Sequence, residues 1–192
     1  MKLEGLCVIS GPMYAGKTSA LVNLASLARA ERLVGVRCFV PHTDTRSAKM
    51  LRSHDGRTTE ATSFSDPSEI RQLLAPTDTH VLIDEVQFSL PSLAAEVGRM
   101  LADGKIVVAA GLDMDYLRVP FATTSALVAM SSNSVILVAR CSVCGGMALY
   151  SYRKQLAAQS RADRVVVGGK EMYEARCGVC WDRGMASQRA AL

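Results

Sequence analysis

The feature that most constrains this chain is an eight-residue stretch near its start, Gly11-Pro12-Met13-Tyr14-Ala15-Gly16-Lys17-Thr18, followed by Ser19. It fits the pattern G-x-x-x-x-G-K-[ST], which average residue usage would produce in about one chain in a hundred of this length. The context supports the match. Leu6 to Ser10 is a short apolar run that reads as a buried parallel strand. From Lys17 to about residue 33, Leu21, Leu24, Ala25 and Ala28 recur at helical spacing. A strand, a glycine-rich turn and a helix let backbone N–H groups curl inward around phosphate oxygens, and the helix N-terminus adds its dipole. In that arrangement Lys17 reaches the β- and γ-phosphates of ATP, and the Thr18 hydroxyl sits on Mg²⁺.

The remaining periodicities predict how the chain continues. Val36 to Val40 reads as a strand closed by Pro41, and residues 42–59 turn polar without a usable period, a long connection for a compact unit. Asp66-Pro67-Ser68-Glu69 predicts a helix start, with Asp66 as N-cap, Pro67 at the first position and Glu69 completing a capping box. Val81 to Ile83 and Ile106 to Ala110 read as buried strands. Between them a helix is expected over about 92–102, ended by Gly104, and Val135 to Ala139 is expected as the last long strand. Strands alternating with helices predict an α/β fold of the P-loop type, a mostly parallel sheet covered by helices on both faces.

After Arg140 the character changes, with strand-like pieces at 148–153 and 165–167 bracketed by cysteine pairs. The expected organisation is an ATP-binding unit over 1–140, a zinc-stapled lobe with a long loop over 141–182, and a solvated tail over 183–192 carrying Arg183 and Arg189. A net charge of +4, with Lys and Arg scattered rather than gathered into a stripe, argues against a nucleic-acid partner. No run reaches the length of a membrane span and the N-terminus does not read as a signal peptide, so no membrane partner and a cytoplasmic location are expected. Only 5% of residues are aromatic, so any aromatic outside the core merits scrutiny.

Val81-Leu82-Ile83-Asp84-Glu85 is an apolar strand ending in two carboxylates. Asp84 at the strand's C-terminal end is placed to hold Mg²⁺, directly or through water. Side chains alternate along a strand, so Glu85 is expected to point away from Asp84 and to face a phosphate acceptor. A carboxylate beside the γ-phosphate suits a general base for a hydroxyl nucleophile. Many P-loop ATPases use the same Glu to activate water, so the pair leaves kinase and ATPase both open.

Cys141-x-x-Cys144 and Cys177-x-x-Cys180 form two knuckles, the first followed by Gly145-Gly146. Four thiolates suit tetrahedral Zn²⁺, and an ion ligated wholly by protein is structural. Two redox pairs or an iron–sulfur cluster are the alternatives, and neither knuckle is expected to open a thioredoxin-like helix. Cys7 and Cys38 lie on apolar strands and read as core residues.

Together these pieces resemble the thymidine kinase family of the cellular, zinc-containing type. The resemblance runs from Gly11 to Cys180. It adds Asp44-Thr45-Arg46, Ser53-His54-Asp55, Asp84-Glu85-Val86-Gln87-Phe88, Gly111-Leu112-Asp113-Met114-Asp115-Tyr116, and Gly168-Gly169 with Tyr173. It implies transfer of the ATP γ-phosphate to the 5′-hydroxyl of thymidine, with Glu85 as general base and Thr18 and Asp84 on Mg²⁺. It places Asp44, Arg46 and Gln87 on the nucleotide and metal side, where an Arg stabilises the transferring phosphoryl group. It assigns Met13, Phe88, Leu112 and Tyr116 to the walls around thymine, and Tyr173 to the deoxyribose. A lasso-like loop from about 153 to 173 would bind the base edge through the backbone of Val165, Val166, Val167 and Gly168.

The resemblance further implies feedback inhibition by dTTP and a homotetramer. Four positions depart from the family. Tyr116 stands where Phe is usual, Leu117-Arg118 where Arg-Gly is more usual, and Ser151 where Thr normally lies near the thymine methyl group. The last change implies looser discrimination against deoxyuridine, by at most about 1–3 kcal/mol. The competing readings are a P-loop ATPase with a zinc module that binds nucleic acid, and a non-catalytic nucleotide sensor.

Overall fold

A computed structural model describes residues 4–30, 35–43, 50–53, 56–154 and 169–190. Its first strand, β1 (Leu6–Ser10), is buried at every position and leads through the glycine-rich turn into α1 (Lys17–Ala30). There follow β2 (Val36–Pro41), β3 (Met50–Arg52), β4 (Thr58–Glu60), β5 (Thr62–Phe64), α2 (Ser68–Leu73) and β6 (His80–Ile83). A single 3-10 turn over Val86–Phe88 precedes α3 (Leu93–Ala102), β7 (Ile106–Gly111), α4 (Ala122–Met130) and β8 (Asn133–Ile136). Six strands make one parallel sheet in the order β5-β2-β6-β7-β1-β8.

Alternation along each strand divides the core between the two faces of the sheet. Leu6 and Val8 of β1 join Val81, Ile83, Val107 and Ala109 against Ile70, Leu93, Val97, Met100 and Leu127 from α2, α3 and α4. Cys7 and Ile9 join Cys38, Val40, Leu82, Val108 and Ala110 against Leu21, Val22 and Ala25 of α1 and Leu51 of β3. Both faces are therefore covered, which is why the central strands read as unbroken apolar runs. Burying each of the Val, Leu, Ile and Met side chains among them is worth ~1.5–3 kcal/mol over leaving it in water. The register sets Ser10 beside Gly111 and Ile83 beside Ala109. The residues that follow these strands, Gly11, Asp84 and Leu112, therefore emerge at one end of the sheet.

The predicted cap of α2 forms: the Asp66 carboxylate accepts the Ser68 N–H at 2.9 Å, and Glu69 reaches back to the Asp66 N–H at 3.0 Å. Gly104, at φ +75°, ends the turn after α3 as expected. Elsewhere the structure differs from the sequence pattern. The polar stretch 42–59 contains strand β3, with the antiparallel partner β4 running just past it, and this hairpin packs on α1 through Leu51 and an Arg29–Thr59 hydrogen bond of 2.6 Å. The three-residue strands are too short to display a period. Helix α4 has no counterpart among the expected elements. Its sequence, ATTSALVAM, lacks a charged outer face, and extended Phe121 precedes it in place of a polar cap.

The strand expected over Val135–Ala139 instead spans Asn133–Ile136 at the edge of the sheet, exposed at all four positions. Past Leu137 the chain leaves the sheet and forms two antiparallel ribbons. These are β9 (Ala139–Arg140) with β10 (Met147–Ala148), and β11 (Tyr150–Arg153) with β12 (Tyr173–Arg176). The expected solvated tail is helical: α5 (Gly178–Ala190) carries Arg183 and Arg189 and buries Trp181 and Met185 against Tyr152. The expected strand at 165–167 lies outside the described residues. No helix among the described residues is long and apolar enough to cross a membrane.

Candidate active site

The phosphate loop follows β1 directly. Gly11 takes φ +140°, and a Cβ there would lie 2.2 Å from the Leu137 carbonyl oxygen, so only glycine fits. Gly16 at φ +87° delivers the chain into α1. The buried Lys17 ammonium donates to the carbonyls of Gly11 at 3.0 Å and Pro12 at 2.7 Å, which sets it inside the curve of the loop. Burial pushes Lys17 down, while the Glu85, Asp84 and Asp113 carboxylates act to keep it charged. Thr18 and Ser19 open the helix, half-buried, with their N–H groups at its positive end.

Thr18 meets the second motif: its hydroxyl donates to Asp84 Oδ2 at 2.7 Å, across 66 residues of chain. Asp84 Oδ1 accepts the Glu85 N–H at 3.0 Å, so both carboxylate oxygens are fixed. Burial first, and then the Glu85 charge, pushes the Asp84 carboxyl up to about 7, against the pull of the Thr18 hydroxyl. A buried carboxylate and a hydroxyl in contact make a suitable pair of oxygen donors for a hard divalent cation.

Glu85 is aimed differently from the strand-alternation argument. Strand β6 ends at Ile83, and Glu85 adopts a left-handed conformation, φ 52° and ψ 39°. The turn, not the pleat, sets the direction of its side chain. Non-glycine residues hold that conformation at a cost of about 1–3 kcal/mol, which the surrounding structure must offset. Gln87 helps to hold it. Its amide oxygen accepts the Leu112 N–H at 2.9 Å, which leaves its NH₂ to donate to Glu85 Oε2. Gly111 makes room for this, since a Cβ there would lie 2.7 Å from the Gln87 amide oxygen. Gln87 thus contacts the carboxylate of Glu85 and the loop after β7.

The residues assigned to the acceptor side converge on the same end of the sheet. The Met13 N–H donates to Ser151 Oγ at 3.0 Å, fastening the phosphate loop to β11. The Tyr14 hydroxyl donates to the Tyr173 carbonyl at 3.3 Å, and Tyr14 with Ala15 packs on Ala139, Cys141, Ala148 and Ala175. Phe88 ends the 3-10 turn half-buried, its carbonyl accepting from the Thr43 hydroxyl at 3.3 Å. Tyr116 is buried, with the guanidinium of Arg153 5.3 Å from its ring centre. Asp44, Arg46, Val165, Val166, Val167 and Gly168 lie outside the described residues.

The four cysteines come together. Their sulfurs all lie within 4.8 Å of one another. A tetrahedron of Zn–S bonds has edges of about 3.8 Å, so the cluster fits one ion after a small contraction. Cys141 follows β9, where its carbonyl accepts the Gly145 N–H at 2.9 Å, and Cys177 follows β12. Burial opposes ionisation of Cys141, but N–H groups of Cys177, Cys144 and Val143 lower its thiol to about 6. Contrary to expectation, the second knuckle does open a helix, α5, with the Cys180 N–H directed at Cys177 Sγ at 3.5 Å. The case against two separate redox pairs therefore rests on the four sulfurs sharing one site.

Arg118, Trp181 and Arg153 also lie here, and no sequence motif gives them a role in the site. Trp181 is the only tryptophan of the chain and adjoins Cys180; Arg118 departs from the family pattern. Those were the available signals. Arg153, almost wholly buried, had none.

Comparison with known proteins agrees with this geometry. The family model for thymidine kinase matches residues 4–181. A thymidine kinase of Pyrobaculum aerophilum is 37% identical over 183 residues, covering 90% of this chain and 95% of the relative. Thymidine kinases of Roseiflexus sp. (strain RS-1) and Thermococcus kodakarensis are 38% and 35% identical, covering 91% and 88% of this chain and 93% and 90% of theirs. With its phosphate loop, paired carboxylates and cysteine quartet in the order and places described, the chain belongs to the thymidine kinase family.

Proposed function

We propose that this chain transfers the γ-phosphate of ATP to the 5′-hydroxyl of thymidine, giving ADP and dTMP. The observation that carries the reading is the Thr18–Asp84 hydrogen bond of 2.7 Å with Glu85 turned out of the strand beside it. The phosphate loop and the N-terminus of α1 bind the β- and γ-phosphates, and Lys17 follows the charge that develops on the transferring group. Thr18 and Asp84 hold Mg²⁺, which supplies charge neutralisation at the phosphates. Glu85 accepts the proton of the 5′-hydroxyl as that oxygen forms its bond to phosphorus and the bond to the ADP oxygen breaks. Gln87 acts by holding Glu85 in place rather than through the nucleotide alone.

Met13, Phe88, Leu112, Tyr116, Ser151 and Tyr173 enclose the nucleoside in this reading. Asp44, Arg46 and the backbone of 165–168 join them on the family resemblance. The cysteine quartet holds a structural Zn²⁺ that ties β9, β12 and α5 together beside the phosphate loop. The lobe over 141–182 then includes the start of α5, and dTTP and a homotetrameric assembly are expected on the same grounds. Incubation with γ-labelled ATP and thymidine tests the reading. Label should appear in dTMP only with Mg²⁺ present, and labelled inorganic phosphate alone would refute it.

A further inference from the structure

Arg118 occupies a place that its backbone does not favour. It has φ +64°, a left-handed conformation that non-glycine residues adopt only when their surroundings enforce it. The hydrogen-bonded turn around Asp115 and the contacts of its side chain hold it there. The guanidinium carbon lies 3.9 Å from the ring centre of Tyr150 and 3.8 Å from that of Trp181, wedged between two rings tilted by 56°. One terminal nitrogen pairs with Asp182 at 3.1 Å and the other donates to the Gly178 carbonyl at 3.3 Å. The buried Nε has no hydrogen-bond partner among the described residues, as expected for a guanidinium plane spent on ring faces.

Both ends of this contact lead to the walls assigned to the nucleoside. On one side, Arg118 belongs to a loop closed upon itself. Asp115 Oδ1 accepts the N–H groups of Leu117 and Val119, each at 2.9 Å, and the Arg118 N–H donates to the Asp115 carbonyl at 3.0 Å. That loop carries buried Tyr116. On the other side, Trp181 donates from its indole nitrogen to the Ser151 carbonyl at 3.2 Å, while the Ser151 hydroxyl accepts the Met13 N–H at 3.0 Å. A continuous chain of contacts therefore runs from the Tyr116 loop through Arg118 and Trp181 to Ser151 and the phosphate loop.

We infer that Arg118 is a positioning residue for the acceptor nucleoside, a clasp between the Tyr116 loop and the Ser151 strand that fixes the width of the pocket between them. The inference rests on the nucleoside-binding reading above. It makes Arg118 a determinant of acceptor affinity without contact to the acceptor, the ATP side being reached only indirectly, through Ser151 and Met13.

The test uses the full chain with Arg118→Gly, because glycine accepts φ +64° and the variant removes the clasp without adding backbone strain. Trp181 is the only tryptophan, so its emission reports the clasp directly. The expected result is a red-shifted emission, KM for thymidine raised about tenfold, KM for ATP within about twofold and kcat within about threefold, the loss of stacked and paired contacts being felt at the acceptor. Arg118→Lys keeps the charge opposite Asp182 but not the plane over two rings, and should raise the thymidine KM about threefold. A red-shifted emission with unchanged thymidine KM in an active enzyme would overturn the inference and leave the functional reading standing. An equal rise in both KM values would overturn it too. If Arg118→Gly does not fold, an unchanged thymidine KM in Arg118→Lys refutes the clasp by itself. A parent protein that phosphorylates no nucleoside would remove the functional reading, and this inference with it.

Discussion

Glu85→Gln should separate turnover from binding. The substitution keeps size and shape, and its amide oxygen can still accept the Gln87 NH₂ that now reaches Glu85 Oε2. The 2.7 Å Thr18–Asp84 contact and the Lys17 contacts in the phosphate loop do not involve it. Loss of a positioned general base costs about 10²–10⁴ in rate. At about 1.36 kcal/mol per factor of ten, that is ~2.7–5.4 kcal/mol of transition-state stabilisation. The metal site moves in the opposite direction. The Asp84 carboxyl is held up to about 7 by burial first and by the Glu85 charge second, so below that pH a proton competes with Mg²⁺ for it. Neutralising residue 85 removes the second cause and lowers the pH at which the proton wins. The assay is steady-state transfer with thymidine at saturating ATP, alongside Mg²⁺–nucleotide binding from pH 6 to 8. The variant should lose at least about a hundredfold in kcat while holding Mg²⁺–nucleotide better than the parent at the acid end. A kcat within tenfold of the parent would refute the base assignment, and a parallel loss of Mg²⁺ binding would show that Glu85 acts on the metal.

Other positions give further tests. Thr18→Val removes the hydroxyl that Asp84 accepts from, and should raise the Mg²⁺ concentration for half-maximal activity more than about tenfold, as a Mg²⁺ titration would show. Removal of zinc by a chelator, with Mg²⁺ then restored, should abolish thymidine-dependent transfer while nucleotide binding persists, since the four cysteines join β9, β12 and α5 but not the sheet; unchanged transfer to thymidine in zinc-free protein with Mg²⁺ would count against it. Ser151→Ala leaves the Met13 N–H without its acceptor and should cost about 1 kcal/mol, lowering Tm by roughly 2–4 °C. Ser151→Thr keeps that acceptor and adds a methyl group, and should sharpen the preference for thymidine over deoxyuridine about tenfold in kcat/KM.

The central strands of the sheet and the phosphate loop were legible because their signals are local and strong, whereas the three-residue edge strand β5 was not. The apolar runs of β1, β6 and β7 and the capping residues Asp66 and Glu69 each act within a few positions, and the structure keeps them. Helix α4 escaped because its buried Thr123, Thr124 and Leu127 are set among small residues with no charged stripe to mark the outer face. The last strand of the sheet, expected at Val135–Ala139, lies at Asn133–Ile136 instead, because the pairing with β1, not an apolar pattern, sets its bounds. At the site, Lys17, Thr18 and Asp84 were named from motifs whose spacing encodes their geometry. The left-handed turn at Glu85 was not legible, because it is decided by tertiary contacts such as that with Gln87. Arg118 and Trp181 lie 63 positions apart, as their numbers give, and meet through packing that no local pattern announces.

The central claim, phosphoryl transfer to a deoxynucleoside, is tested most directly by incubating the zinc-assayed protein with γ-labelled ATP and a panel of thymidine, deoxyuridine, other nucleosides and single-stranded DNA. The account predicts label in dTMP, weaker label from deoxyuridine, and ATP hydrolysis that single-stranded DNA does not stimulate. Labelled inorganic phosphate released in response to DNA, with no labelled nucleotide product, would contradict it.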